Sequence, residues 1–313
     1  MKDKKLLLAA LLLPVTVLFA GAAMAMGWTP VLMNGAAPVA QPVDGETCIA
    51  IPIELTLTAT DAEEDIALYQ LTEQPRLGTA SIEGDTLCYT PGSKTGTDKF
   101  SFTAVDENGN TSKPAQVKIK VVKNRSKLTY ADMTGNPAHY AAIKLAEEGV
   151  MTGETIGDSS FFRPADTVTR SEFIAMATAA AHLPIAPTVE TDFADDSGLS
   201  AWAKPYVSAA ASSGLVSGYL TSGGLSEIRG ENPITLSEVS VILNNLLSET
   251  LDGAAYTIAA EPNAAEDWAQ AAVGGLARLD VLSPLAALQQ PGDAVTRQTA
   301  CELLYRTMRL MNE

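Results

Sequence analysis

The spacing of apolar residues changes character once along this chain. From Glu46 to about Val122 the period is two. Ile49, Ile51, Ile53, Leu55 and Leu57 alternate with Ala50, Pro52, Glu54 and Thr56, the signature of a strand with one face on a core. Further strands are predicted over 67–72, 79–83, 86–90, 99–105 and 115–122. Turn-forming runs separate them at Asp61–Asp65, Glu83-Gly84-Asp85, Pro91-Gly92 and Glu107-Asn108-Gly109-Asn110. Six or seven short strands predict a small all-β sandwich over residues 44–122.

From about Thr129 the period becomes helical and the chain repeats itself. One phrase recurs as Val168-Thr169-Arg170-Ser171-Glu172, Ile234-Thr235-Leu236-Ser237-Glu238 and Val295-Thr296-Arg297-Gln298-Thr299, with Thr-to-Thr spacings of 66 and 61. Each copy opens an Ala/Leu-rich amphipathic run. An earlier run precedes each, giving predicted helix pairs 138–148 and 169–182, 201–213 and 235–247, 265–279 and 296–311. The loops between them start at Gly149, Gly214 and Asp280, and Trp202 and Trp268 each lie 12 residues before their loop. Such a period means an array of equivalent all-α units.

The N-terminus adds a compartment. Lys2, Lys4 and Lys5, the apolar run Leu6–Phe19 and Ala23-Met24-Ala25 predict a signal peptide over 1–25, cleaved after Ala25. Residues 26–43 are Pro/Ala/Gly-rich and read as an extended leader; 123–128 read as a short basic linker, which predicts that the parts on either side fold independently. No later run reaches the length of a membrane span. The net charge of −16 is uneven, −3 before residue 126 and −13 after it. So acidic a second half excludes nucleic acid as a partner. An anionic ligand must be caught there by a few placed arginines. Three cysteines are few for a disulfide scaffold. Cys48 and Cys88 read as sharing one sheet face, either bonded, which would be worth about 4 kcal/mol in the chain-entropy model, or as two free thiols; Cys301 reads as a small buried residue. The acidic run Asp61, Glu63, Glu64, Asp65 with Asp106 reads as solvated turns rather than a metal site.

Two families come into view. Gly78-Thr79, Tyr89-Thr90-Pro91, Gly96-Thr97-Asp98-Lys99-Phe100 and Asp106-Glu107-Asn108-Gly109-Asn110 resemble bacterial Ig-like/cadherin-like surface repeats. The later units resemble S-layer homology domains, on Tyr130-Ala131-Asp132, Gly149-Val150-Met151-Thr152-Gly153, Phe162-Arg163-Pro164, Phe193-Ala194-Asp195, Trp202-Ala203, Gly214-Leu215-Val216-Ser217-Gly218, Trp268-Ala269 and the recurring Thr phrase. Units one to three span 129–187, 188–252 and 253–313, the third degenerate. The resemblance implies a multidomain chain in which the sandwich precedes an all-α pseudo-threefold assembly. It also implies a secreted bacterial surface protein held noncovalently by a pyruvylated secondary polysaccharide linked to peptidoglycan. The alternative is a surface adhesin whose Ig-like domain binds a protein or glycan, with the helical units as tether.

The residues suit that reading on their own chemistry. Thr169 with Glu172 and Thr235 with Glu238 have the spacing of capping boxes, and Thr296 keeps half of one. Capping does not explain Arg170 and Arg297, since a cation in the first turn opposes the helix dipole. They are the first candidates to grip a carboxylate, each expected to contribute roughly 1.5–3 kcal/mol of binding at little cost to the fold; Leu236 breaks the series. Trp202 and Trp268 read as core residues or as platforms for a sugar ring, Asp132 and Asp195 as helix caps or acceptors for sugar hydroxyls. His139 and His182 stand alone, and no catalytic constellation, cofactor fingerprint or metal spacing is present, so no enzyme activity is expected.

Overall fold

The period-two half folds into two facing sheets. The computed structural model describes residues 35–250, 265–282, 286 and 289–312; the signal segment lies outside the described residues. One sheet has the order β2 (Val43–Cys48), β9 (Ala115–Val122), β8 (Gly96–Asp106), β5 (Ile66–Glu73), with β2 parallel to β9. The other has β3 (Ile53–Thr56), β7 (Thr86–Pro91), β6 (Gly78–Glu83). Phe100, Phe102, Val117 and Ile119 from the first meet Leu87 and Tyr89 from the second, all essentially inaccessible to solvent. Large apolar side chains on alternate residues leave the sheets no other way to bury them.

The first predicted strand is divided. Ala50 takes φ 62 and the chain crosses from one sheet to the other, so 49–57 supplies the turn and β3 rather than one long strand. Part of the expected leader is structured as well: β1 (Val39–Ala40) pairs with β4 (Ala59–Thr60). Cys48 and Cys88 are free thiols and do not share a sheet face. Cys48 sits in the core on β2, whereas Cys88 lies between the buried Leu87 and Tyr89 of β7 and points away from it. The family-like motifs have local reasons. Asp98, 1% exposed, accepts the Arg76 and Leu77 amides and the Tyr89 hydroxyl, so its buried charge is hydrogen-bonded. Asp106 accepts both the amide and the side chain of Asn110, closing the turn before β9.

The helical half consists of α1 (His139–Glu147), α2 (Arg170–Ala180), α3 (Lys204–Ser212), α4 (Leu236–Thr250), α5 (Gln270–Arg278) and α6 (Arg297–Met311). It is not all-α. Between the helices of unit one, β10 (Glu154–Ile156) and β11 (Ser159–Phe161) form a hairpin; β12 (Tyr219–Leu220) and β13 (Ser226–Glu227) do so in unit two. Gly149 and Gly214 end the first helices at φ 70 and 80, and Asp280 takes that place in unit three at φ 54. Left-handed backbone disfavours a side chain by about 1–2 kcal/mol, so unit three carries strain that the glycines avoid. A methyl at Gly153 would collide with the Phe161 carbonyl and the Tyr130 ring.

Three hydrogen bonds link the recurring phrases head to tail. Val168 N donates to Val295 O (3.0 Å), Val295 N to Ile234 O (2.8 Å) and Ile234 N to Val168 O (2.9 Å). A second set runs in the opposite sense, each unit donating to the next: Arg170 N to Asn232 O, Leu236 N to Asp293 O, Arg297 N to Asp166 O. The helices follow: α2 packs on α3, α4 on α5, and α6 on α1. One apolar core runs through all three units, from Leu145 and Phe173 through Val207, Val239 and Leu243 to Leu276 and Leu304.

The two halves touch. Tyr140 and Ile143 of α1 are buried against the sandwich core, and the Tyr140 hydroxyl donates to Glu46 Oε1 at 3.0 Å. Tyr305 of α6 meets Tyr140 edge to face, with ring centroids 5.9 Å apart. The linker is itself tied, Asn124 Nδ2 donating to Leu128 O at 2.7 Å. A cleft of about 300 Å³ lies between β2, β3, α1 and α6. The two halves therefore share an apolar contact in addition to the linker that joins them.

Candidate functional site

The head-to-tail order places the first turn of each second helix against the loop of the next unit, leaving three seams. At the first turns, Thr169 and Glu172 form a reciprocal capping box, as do Thr235 and Glu238. Thr296 caps the Thr299 amide at 3.3 Å, with no carboxylate to reach back. These caps satisfy helix N-terminal donors and leave the residue between them to face the seam.

In the seam between units three and one, Arg297 donates from Nε to Phe162 O (2.8 Å) and from Nη2 to Thr152 O (2.8 Å). Its guanidinium lies 4.9 Å from the centre of the Phe162 ring. Among the described residues it meets two neutral carbonyls and no carboxylate, and it is half-buried.

In the seam between units one and two, Arg170 is 7% exposed. Its Nη1 is 3.7 Å from Glu238 Oε1, and its guanidinium lies 5.1 Å from the centre of the Tyr219 ring. Arg229 packs on the same ring at 4.5 Å and pairs with Glu227 at 3.3 Å. The Tyr219 hydroxyl donates to Glu238. Burial, with Glu238 beside it, pushes the Tyr219 phenol up to about 12, so it remains a donor at neutral pH. In the third seam Leu236 is buried, and among the described residues no arginine takes its place.

The other candidates separate by role. Asp132 accepts the amides of Phe162 (2.8 Å) and Arg163 (2.7 Å); Asp195 accepts those of Ile228 (2.9 Å) and Arg229 (2.7 Å). Neither caps a helix. Both carboxylates hold the strand that returns to the recurring phrase. Trp202 and Trp268 are 51% and 54% exposed, in turns before α3 and α5, so core packing is not their role. Tyr206 is the aromatic neighbour of Trp202, 6.4 Å away between ring centres. Tyr219, Arg229 and Arg163 were absent from the sequence-derived candidates. The signal was available: Arg163 and Arg229 stand one repeat apart, and Tyr219 follows the second loop glycine, where unit one has Glu154.

Outside the seams, His139 is buried and its Nε2 accepts the Tyr130 amide at 3.2 Å. Burial holds its pKa below 6.5, against a backbone hydrogen bond at Met133 that works the other way. Asp61, Asp65 and Asp106 bring carboxylate oxygens within 4.8 Å of one another, without Glu63 and Glu64. Desolvation and the neighbouring Asp61 push the Asp65 carboxyl up. Among the described residues no helix is long and apolar enough to cross a membrane.

The described residues thus form an Ig-type sandwich joined to serially linked helix pairs with charged seams between them. The family comparisons sharpen this. Residues 34–120 match the bacterial Ig domain, and residues 129–174 and 192–239 match the S-layer homology domain; the chain carries both. S-layer homology domains mark proteins associated with the bacterial cell wall or surface. The third unit lies outside the matched residues. No curated protein matches the chain at a significant level. Among solved structures, an endo-fucoidan hydrolase of glycoside hydrolase family 107 is 25% identical over 29% of this chain and 14% of its own, with a TM-score of 0.25. The SrpA adhesin of Streptococcus sanguinis is 17% identical over 32% of this chain and 62% of its own, at 0.22. Fibronectin(III)-like modules of Clostridium thermocellum CbhA are 18% identical over 30% and 51%, at 0.21. Likenesses at such scores carry no functional argument.

Proposed function

We propose that this is a secreted surface protein whose three helical units form a pseudo-threefold assembly and bind a pyruvylated secondary polysaccharide of the cell wall, with the Ig domain displayed outward. The observation that carries the reading is Arg297, a guanidinium held by two carbonyl oxygens and by a ring face, with no counter-carboxylate among the described residues. In a half so acidic, an uncompensated and fixed cation is the natural place for a carboxylate on an otherwise neutral sugar, since planar guanidinium matches carboxylate bidentately. The exposed Trp202 and Trp268 supply apolar faces that suit sugar rings.

The test is retention of the mature protein on purified cell walls before and after the secondary polymer is stripped chemically. Binding should vanish with the polymer. Undiminished binding to stripped peptidoglycan would refute the polymer as ligand. An adhesin reading assigns the specific activity to residues 44–122 instead; wall retention lost on deleting only that segment would favour it.

A further inference from the structure

Arg170 and Arg297 occupy the same place in the repeat, yet their surroundings differ in a way that changes what each can bind. Arg297 spends its Nε and one Nη2 proton on backbone carbonyls of unit one. Neutral acceptors fix the group without cancelling its charge, and the Nη1 side stays clear of them. The rotamer freedom that a ligand would otherwise have to freeze is already lost. Arg170 is covered. Glu238 lies against its charge, Tyr219 against its face, and its Nε is buried without a hydrogen-bond partner. Tyr219 is held at three points: by Glu238 through its hydroxyl, and by Arg170 and Arg229 on its ring. In unit one the corresponding residue is Glu154, which pairs with Arg163 and leaves Arg297 uncovered.

We propose that the chain takes a carboxylate at one seam only, that of Arg297, and that Tyr219 closes the seam of Arg170. This rests on the polymer-binding reading above and narrows it to one polymer contact per chain, made where the degenerate third unit meets the first. A ligand reaching Arg170 would have to displace Tyr219, break its bond to Glu238 and compete with a carboxylate already in place. Two guanidinium groups there are balanced by Glu238 and Glu227, so the closed seam offers no net charge. At the third seam the equivalent position holds the buried Leu236, and among the described residues the charged group beside it is Glu266, a carboxylate bonded to Ser237.

Calorimetric titration of the full chain with a methyl hexopyranoside bearing a pyruvyl ketal, beside its methyl ester, tests this. The wild type should bind one ketal per chain and ignore the ester. Arg297→Gln should weaken binding about 10–100-fold, the equivalent of one charge-assisted contact. Arg170→Gln should leave the affinity of the folded protein within about threefold, since one factor of ten is already 1.4 kcal/mol, while lowering the melting temperature. Tyr219→Ala combined with Glu238→Gln, which removes both the ring and the competing carboxylate, should open a second site, and adding Arg170→Gln should remove that site again. Two sites in the wild type, an Arg170→Gln loss equal to that of Arg297→Gln in natively folded protein, or a single site in the folded Tyr219→Ala/Glu238→Gln protein would each overturn the proposal and leave the polymer reading standing. Equal binding of ketal and ester would overturn both.

Discussion

His139 is 4% exposed, and its Nε2 accepts the Tyr130 amide. Protonation would remove that acceptor and place a charge in the core. Its folded pKa is depressed below 6.5. The unfolded chain therefore binds the proton first. Stability attributable to this residue is complete above 6.5 and is lost as pH falls below that value towards the folded pKa. Melting curves from pH 7.5 to 5 should show the loss in wild type and a much flatter profile in His139→Gln; parallel profiles would exclude His139 as the source. The arginines divide by the same logic of burial. Arg170→Ala leaves Glu238 without its neighbouring cation at a buried position and should destabilise by about 3 kcal/mol. Arg297→Ala, half-exposed, should lose about 1 kcal/mol. The sequence marked both as the same first-turn cation and expected little cost to the fold from either. It could not separate them, because the difference lies in Tyr219 and Glu238, which reach Arg170 only through tertiary contact. Caps were legible because Thr and Glu three apart satisfy each other locally. Asp132 and Asp195 were not, since the amides they accept lie 30 or more residues ahead.

At the level of elements, helix pairs and their loops could be read from the chain, whereas ends and short strands could not. Trp202 and Trp268 were drawn into helices by their apolar neighbours, but α3 and α5 begin after them and leave both rings in solvent. The hairpin β10–β11 has three residues per strand, too few to display a period. What the loop does convey is its second glycine. Gly153 lies where the backbone passes Phe161 O and the Tyr130 ring with no room for a methyl group. It also follows Thr152, whose carbonyl holds Arg297. Gly153→Ala should therefore lower stability by about 1–3 kcal/mol, the scale of overpacking, and should loosen Arg297 at the same time. Thermal melts together with ketal titration read both effects. Wild-type affinity in a destabilised Gly153→Ala protein would show that the Thr152 carbonyl does not position the arginine.

For the whole molecule, the junction between sandwich and helices was the least legible feature. Tyr140 and Ile143 sit on a helix whose apolar positions looked like core of unit one, and nothing local tells which core they enter. The contact also has a polar part, the half-buried Glu46 bonded to Tyr140 and Lys120. Burial alone would push the Glu46 carboxyl up, but hydrogen bonds from Lys120 and Tyr140 outweigh it and hold its pKa below 4.5. A depressed carboxylate contributes stability that is present above its unfolded value and lost as pH falls through the folded one. Glu46 is partly solvated, so with screening its share is about 1 kcal/mol. The junction should hold at neutral pH and loosen in acid below 4.5. Tyr140→Phe removes one of the bonds that depress Glu46, so loosening should begin at higher pH. Distance measurements between spin labels on β6 and α3, taken from pH 7 to 3, follow the junction directly, and far-ultraviolet dichroism follows the folds. An acid transition at the same pH in wild type and Tyr140→Phe would show that the hydroxyl does not hold the halves together; simultaneous loss of dichroism and distance would mean that the two halves unfold as one unit.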